Sequence, residues 1–276
     1  MQNRLRISLV IPAYNEESYL EDCLRSALAQ RLPFAEIIVV DNGSTDRTTQ
    51  IATSFSGVKL VHEPRQGVVH ARNSGFDAAQ GDVIARIDAD TRLPADWTWQ
   101  LLAAFEAESV AAVTGRVEYY EIELARLLSS GDNLIRRGVA HLLGKDMALQ
   151  GANMALRRHV WQRVRRNVCS RSGVHEDFDL AIHIAEAGYT VGYSPLLSAH
   201  VAFRQAAGSW RQFASYYWHC PATYLRHGLW RGLWLAPVSL AMIIGFPILH
   251  GLTLLYRLRN PAMVRQLRVN PATFGD

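Results

Sequence analysis

Residues 36–46 read Glu36-Ile37-Ile38-Val39-Val40-Asp41-Asn42-Gly43-Ser44-Thr45-Asp46, an apolar run that ends on an acid and a turn. Apolar residues without inside–outside alternation predict a strand buried on both faces, here over Glu36–Val40. Gly43 permits the tight turn, and Asp46 is placed to cap a helix running through about Phe55. The same unit recurs on either side. Ile7–Pro12 is a strand, and Glu17–Gln30 a helix with Leu20, Leu24 and Leu28 at helical spacing. Downstream, Val58–His62 is a strand, Gly67–Gln80 a helix, and Asp82–Ile87 a strand that delivers Asp88. Strands alternating with helices predict an α/β fold whose parallel sheet is covered on both faces, with ligands gathering at the carboxyl ends of the strands. Those ends carry Pro12–Glu16, Asp41–Asp46 and Asp88–Asp90.

The second half is less regular. Ala95–Glu108 reads as a helix, Ala111–Tyr119 as a strand, Glu121–Ala148 as helical and Gln150–Leu156 as a strand. Glu176–Ala187 is an amphipathic helix stopped by Gly188. Leu233–Tyr256 contains no Asp, Glu, Lys or Arg and is long enough for a bilayer core of about 30 Å. Arg226 and Arg231 precede it; Arg257, Arg259, Arg265 and Arg268 follow. A single span would put one basic cluster outside, against the positive-inside tendency. A turn at Gly245-Phe246-Pro247 would make two short interfacial helices and keep both clusters on one side. A third solution is a helical pair buried against the rest of the chain.

At 276 residues and a net charge of +4, the composition is that of a globular protein with ample core. Lys59 and Lys145 are the only lysines, so the positive charge is almost all arginine, which matches phosphate oxygens two at a time. Arg157, Arg158, Arg163, Arg165, Arg166 and Arg171 form either a solvated basic surface or a contact for anionic lipid or phosphate. The arginines are otherwise dispersed and no nucleic-acid-binding module is present, so nucleic acid is not an expected partner. Cys23, Cys169 and Cys220 are far apart and odd in number; their spacing supports neither a disulfide framework nor a zinc site and fits a reducing compartment. Met1–Arg6 runs directly into a strand, without the apolar stretch of a secretion signal.

Four groups of residues carry candidate chemistry. Asp88-Ala89-Asp90 places two carboxylates at a strand end, where one can face a sugar hydroxyl and the other a hard divalent cation that bridges to phosphates. The Asp41–Asp46 loop offers acids and hydroxyls to the polar edge of a base. Glu176-Asp177 opens a helix, where the dipole favours acids and where Asp177 could act as a general base. Gly151-Ala152-Asn153 allows close approach of backbone to substrate.

In order along the chain, Val10–Glu17, Val39–Asp46, Ala71–Gly75, Asp88–Asp90, Gly151–Asn153 and Glu176-Asp177 resemble the family 2 glycosyltransferases of GT-A fold. The resemblance covers roughly residues 6–205. Beyond it, the apolar stretch makes 206–276 a helical, membrane-associated segment, while the resemblance implies a nucleotide-binding half (about 1–92) and an acceptor half (about 93–205). It further implies that Pro12, Ala13, Tyr14 and Glu16 line the nucleotide pocket, with Asp41 on the base and Arg72 near the base or phosphates. Asp88 would approach the ribose or sugar, and Asp90 would hold Mg2+ or Mn2+, with His200 a further metal candidate. Gly151, Ala152 and Asn153 would border the acceptor, Glu176 would support it, and Asp177 would be the base. Arg204 and Arg211 are candidates for the diphosphate. Gln205–Arg211 departs from the Gln-x-x-Arg-Trp of processive members, which argues against polymer synthesis.

The expected activity is inverting transfer from a nucleoside-diphosphate sugar, uridine first and guanosine second, to a hydroxyl acceptor, lipid-linked or a surface glycan. The expected place is the cytoplasmic face of a membrane. A sugar nucleotidyltransferase is the nearest enzymatic rival, but Pro12–Glu17 is acidic and lacks the Gly-rich basic loop that grips a triphosphate. A non-catalytic membrane scaffold is the rival from another class, and the retained Asp90 and Asp177 argue against it.

Overall fold

The apolar runs of the first half do form parallel strands. A computed structural model of the chain describes residues 5–143, 149–169 and 173–260. Strand β1 (Ile7–Ala13) lies between β2 (Glu36–Asp41) and β4 (Val83–Arg86), and β3 (Val58–His62) pairs with β2, all in parallel. Pro12 is tolerated in this central strand because the β1–β4 ladder ends at Val10↔Arg86, so its missing N–H falls beyond that pairing. Leu9 and Ile11 point into one core with Leu20, Leu24 and Trp97; Val10 points into the other with Phe76, Trp161 and Leu180. Burial on both faces is why these strands read as unbroken apolar runs.

The sheet continues past β4 into the second half, in the order β3-β2-β1-β4-β7-β6-β8-β5. Strand β7 (Met154–Arg157) is antiparallel to both β4 and β6 (Val110–Tyr120). Strand β8 (Thr190–Ala202) runs parallel to β6 and pairs antiparallel with the short β5 (Thr91–Arg92). Helices α1 (Leu20–Leu28), α2 (Thr48–Ser54), α3 (Val68–Ala78) and α4 (Trp97–Ala104) follow the first strands. In the second half come α5 (Ala125–Leu143), α6 (Arg158–Val164) and α7 (Glu176–Glu186). The last of these closes as expected: Gly188 is left-handed (φ +86°), and the N–H of Tyr189 reaches back to the carbonyl of Ile184.

Two expectations change. Gln150–Leu156 is not a strand throughout; Gly151–Asn153 forms a turn of 3-10 helix before β7. The chain also does not turn at Gly245-Phe246-Pro247. After α8 (Trp210–Arg226), one helix, α9 (Ala236–Arg259), runs straight through Pro247. Ser239, Phe246, Leu249 and Thr253 are the buried stripe of α9, and Phe246 and Leu249 pack with Phe203, Ala206 and Phe213. That lateral packing holds the helix together across the missing N–H. Among the described residues, Trp230–Arg259 is the one helical stretch long and apolar enough to cross a membrane. The expected helix over 144–148, the contributions of Arg171, Arg265 and Arg268, and the end of the 206–276 segment lie outside the described residues.

Candidate active site

The loops after β1 and β2 are tied together before any ligand is considered. Asn15 adopts a left-handed φ of 53°, its side-chain oxygen accepts from the Thr45 N–H (2.7 Å), and its own N–H donates to Ser44 Oγ (3.0 Å). The N–H groups of Glu16 and Glu17 donate to Thr48 Oγ1 (2.7 Å) and Asp46 (3.1 Å). Asp46 also accepts from the N–H of Thr48 (2.9 Å), so it caps the helix entry while α2 begins slightly later than the sequence suggests. Asp41, almost fully buried, accepts from the N–H of Ser44 (3.0 Å) and faces His62 at 3.3 Å. Asn42 donates to the carbonyls of Glu63 and Arg65 and accepts from Gly67. The result is a rigid shelf at the carboxyl end of β1 and β2, bordered by Pro12, Ala13 and Tyr14.

Arg204, from the turn after β8, closes the next part of the site. It donates through both Nη atoms to Glu16 (2.9 Å each) and through Nε to Asp90 (2.7 Å), and its guanidinium lies 4.7 Å from the centre of the Tyr19 ring. Burial pushes the Glu16 carboxyl up to about 7, against the opposing pull of Arg204. Asp90 Oδ1 is buried and has no hydrogen-bond partner, while the backbone carbonyl of Asp90 accepts from Tyr120 (2.6 Å). An orphaned carboxylate oxygen beside a second acid, Asp88, is a donor set that suits a hard divalent cation.

A second arginine organises the acids across the sheet. Arg86, at the end of β4, is 2% exposed. Its Nη1 donates to Asp177 (2.7 Å) and Glu176 (3.2 Å), and its Nη2 to Asp88 (3.1 Å) and Glu176 (3.2 Å). The other oxygen of Asp177 accepts from the Gly151 N–H at 2.7 Å. A Cβ on Gly151 would sit 2.4 Å from Arg86 Nη1, so only glycine lets the guanidinium pass. Burial and the neighbouring Glu176 charge raise the Asp177 carboxyl above its usual range, against Arg86. Burial opposes ionisation of Glu176 too, but the charges of Arg86, His175 and Arg72 hold its carboxyl below the usual range.

The structure thus brings Glu16, Asp88, Asp90, Glu176, Asp177 and Gly151 to one end of the sheet, linked by Arg86 and Arg204. Other expected residues take different places. Arg72 is fully buried and donates to the Glu176 carbonyl (2.8 Å) and to Asn73, bracing the start of α7 instead of opening towards a base or phosphate. Asn153 is fully buried and engaged by the Trp97 indole and by the carbonyls of Arg116 and Leu197, which makes it a strut between β6 and β8. Ala152 is buried with Val117 and Val201. His200 stands opposite Arg92 in the β5–β8 ladder, and its recorded ionic contact is with Glu118 (3.8 Å), not with Asp90. Arg86 was missed, although a lone arginine in the apolar run Val83-Ile84-Ala85-Arg86-Ile87 signals a buried ion pair.

Known glycosyltransferases resemble this chain in sequence and in fold. The glycosyltransferase EpsH of Bacillus subtilis (strain 168), described as putative by name, is 37% identical over 100 residues, 35% of this chain and 29% of that protein. AglE of Haloferax volcanii, a glycosyltransferase, is 28% identical over 165 residues, 57% of this chain and 54% of that protein. The matches therefore span about a third to a half of these curated relatives. Among solved structures, the mannosyltransferase PcManGT from Pyrobaculum calidifontis, in complex with GDP-Man and Mn2+, superposes with a TM-score of 0.61 and 21% identity, covering 99% of this chain and 83% of that one. TarS of S. aureus (residues 1–349) with UDP-GlcNAc gives 0.56 and 16% identity over 80% of this chain and 67% of that one. These two likenesses establish the GT-A type of fold. The sequence profile of Glycosyl transferase family 2 matches residues 8–164, more than half of the chain, and the protein belongs to that family.

Proposed function

We propose that this chain transfers a sugar from a nucleoside-diphosphate sugar to an acceptor hydroxyl with inversion, in a single displacement. One observation carries the reading: Asp177 is buried beside Asp88 with each oxygen held by one fixed donor. An ionised carboxylate has about four lone-pair sites, so two remain to accept the acceptor's proton. The acceptor oxygen attacks the anomeric carbon from the face opposite the diphosphate, and Asp177 removes its proton. Glu176 and Arg86 fix the position of that base. The shelf of Pro12, Ala13, Tyr14 and Asp41 takes the nucleotide, uridine first and guanosine second. Asp90, with Asp88, would hold Mg2+ or Mn2+, which when bound supplies charge stabilisation for the leaving diphosphate. Arg204, bonded to Asp90 and Glu16, would turn to the diphosphate oxygens.

Membrane attachment through 206–276 belongs to the same proposal. Leu240, Ile244, Ile248 and Leu258 of α9 are 53–79% exposed, and leaving each in water forgoes roughly 1.5–3 kcal/mol. Since the opposite stripe of α9 packs on the protein and arginines flank both ends, the helix would lie in the interface at the cytoplasmic face, not cross it. A lipid-linked acceptor would then meet the enzyme at that surface.

Calorimetric titration with UDP- and GDP-sugars, with and without Mn2+, tests the donor site. Metal-dependent binding of one nucleotide is expected, and no binding by a folded protein would remove the proposal. Asp177→Asn should keep donor affinity within a few fold and lose about 10²–10⁴ in transfer rate.

A further inference from the structure

Helix α7 carries acids on two sides. Asp177 faces Arg86; Asp179, two residues on and fully buried, faces away from it. On that far side, Cys169, Asp179, His183 and His227 bring one sulfur, one carboxylate oxygen and two imidazole nitrogens within 4.8 Å of one another. Asp179 and His183 are one helical turn apart on α7. Cys169 follows α6, and its N–H donates to Asp179 Oδ2 (2.8 Å). His227 ends α8, and its Nε2 is 2.9 Å from Asp179 Oδ1.

His183 supplies a second, independent observation. Its Nδ1 is 2.8 Å from the Glu186 carboxylate, which favours the proton on that nitrogen. Nε2 is left facing Asp179 Oδ1 at 3.5 Å, buried and without a hydrogen-bond partner. Carboxylates at both ring nitrogens favour a positive charge at this position, which either a second proton on the ring or a metal ion between Nε2 and Asp179 supplies. We propose that Cys169, Asp179, His183 and His227 form a zinc site, separate from the divalent-cation site at Asp90.

The donor set selects the metal. A thiolate with two imidazoles suits zinc and is poor for magnesium, and four protein ligands close the shell, as in structural sites. Tetrahedral Zn–N and Zn–S bonds of about 2.0–2.3 Å place ligand atoms roughly 3.4 Å apart, which lies between the 2.9 Å and 4.8 Å separations seen here. Zinc displaces the protons on the thiol and on His227, and His183 keeps its Glu186 partner. His183 and Glu186 also line a surface cleft, together with Arg163, Arg165 and Arg166. The ion would clamp the segment after α6 and the end of α8 onto α7, the helix whose first turn holds Glu176 and Asp177. Sequence spacing hides such a site, since its ligands lie at 169, 179, 183 and 227.

The test is elemental analysis of the full chain after reconstitution with zinc and desalting. About one tightly held ion per chain is expected, unchanged in Asp90→Ala and reduced at least tenfold in Cys169→Ser combined with His183→Ala. Substitution with Co2+ should give a thiolate-to-cobalt charge-transfer band from the unmodified chain, so the test stands even if the double variant does not fold. Chain without retained zinc and without that band overturns the proposal. Equal zinc in a folded double variant overturns it as well.

Discussion

Arg86 and Arg204 sit at the same end of the sheet, and each gathers acids from distant parts of the chain, but they are held differently. Arg86 rises from a central strand, its side chain 3% exposed, with Asp88, Glu176 and Asp177 around it. Arg204 comes from a turn at the end of β8, its side chain 26% exposed, and closes over Glu16 and Asp90. A strand-borne, enclosed cation is a fixed part of the frame. A turn-borne, partly open one can exchange its acids for other partners. The same pairing chemistry therefore holds the Asp177 side of the site as a fixed unit and leaves the Glu16 and Asp90 side adjustable.

That contrast can be broken most directly at Arg86. Arg86→Ala leaves Asp177 and Glu176 buried without their cation and should cost roughly 3–5 kcal/mol in denaturant unfolding. Arg204→Ala should cost less, because Arg204 is itself partly exposed and Glu16, already pushed up to about 7, can stay protonated without it. Equal losses would mean that the two arginines do the same work. Next, Gly151→Ala pushes a methyl group into the Arg86 guanidinium and should cost about 1–3 kcal/mol, together with a loss of transfer. A neutral result would show that Arg86 can move. The last effect sharpens the Arg204 side. The Glu16 carboxyl titrates at about 7 in the folded chain against 4.5 for an ordinary glutamate, so the native state holds that proton more tightly than the unfolded state. Stability from this group is present below about pH 4.5, declines as pH rises towards about 7, and is level above. Glu16→Gln should remove that decline, a difference of about 2 kcal/mol between unfolding at about pH 5 and about pH 8.

The sequence showed most of the frame because the physics there is local. Ile37–Val40 and Val83–Ala85 are apolar on both faces because the sheet is covered on both, and the acids that follow them stand where strand ends must place them. Asp88 and Asp90 were legible for that reason, Glu176 and Asp177 from their place at a helix start, and Glu16 from the family resemblance. What stayed hidden depends on tertiary neighbours. Asn153 became a strut because three distant elements converge on it. Gly151 is glycine because Arg86 passes beside it, and it opens a 3-10 turn where a strand was read. Pro247 looked like a turn, but packing against Phe213 and Ala206 carries the helix through it.

The bonds that join Asn15, Glu16 and Glu17 to residues 44–48 have a consequence for how the molecule breathes. Loops at the mouth of a sheet ordinarily exchange their amide hydrogens with solvent almost at once. Here the N–H groups of Glu16, Glu17, Ser44 and Thr45 are each spent on a side chain across the gap or within the loop. Release of one requires both loops to part together, so they open as a single cooperative unit. The floor of the nucleotide shelf would keep its hydrogens on the timescale of the strands beneath it.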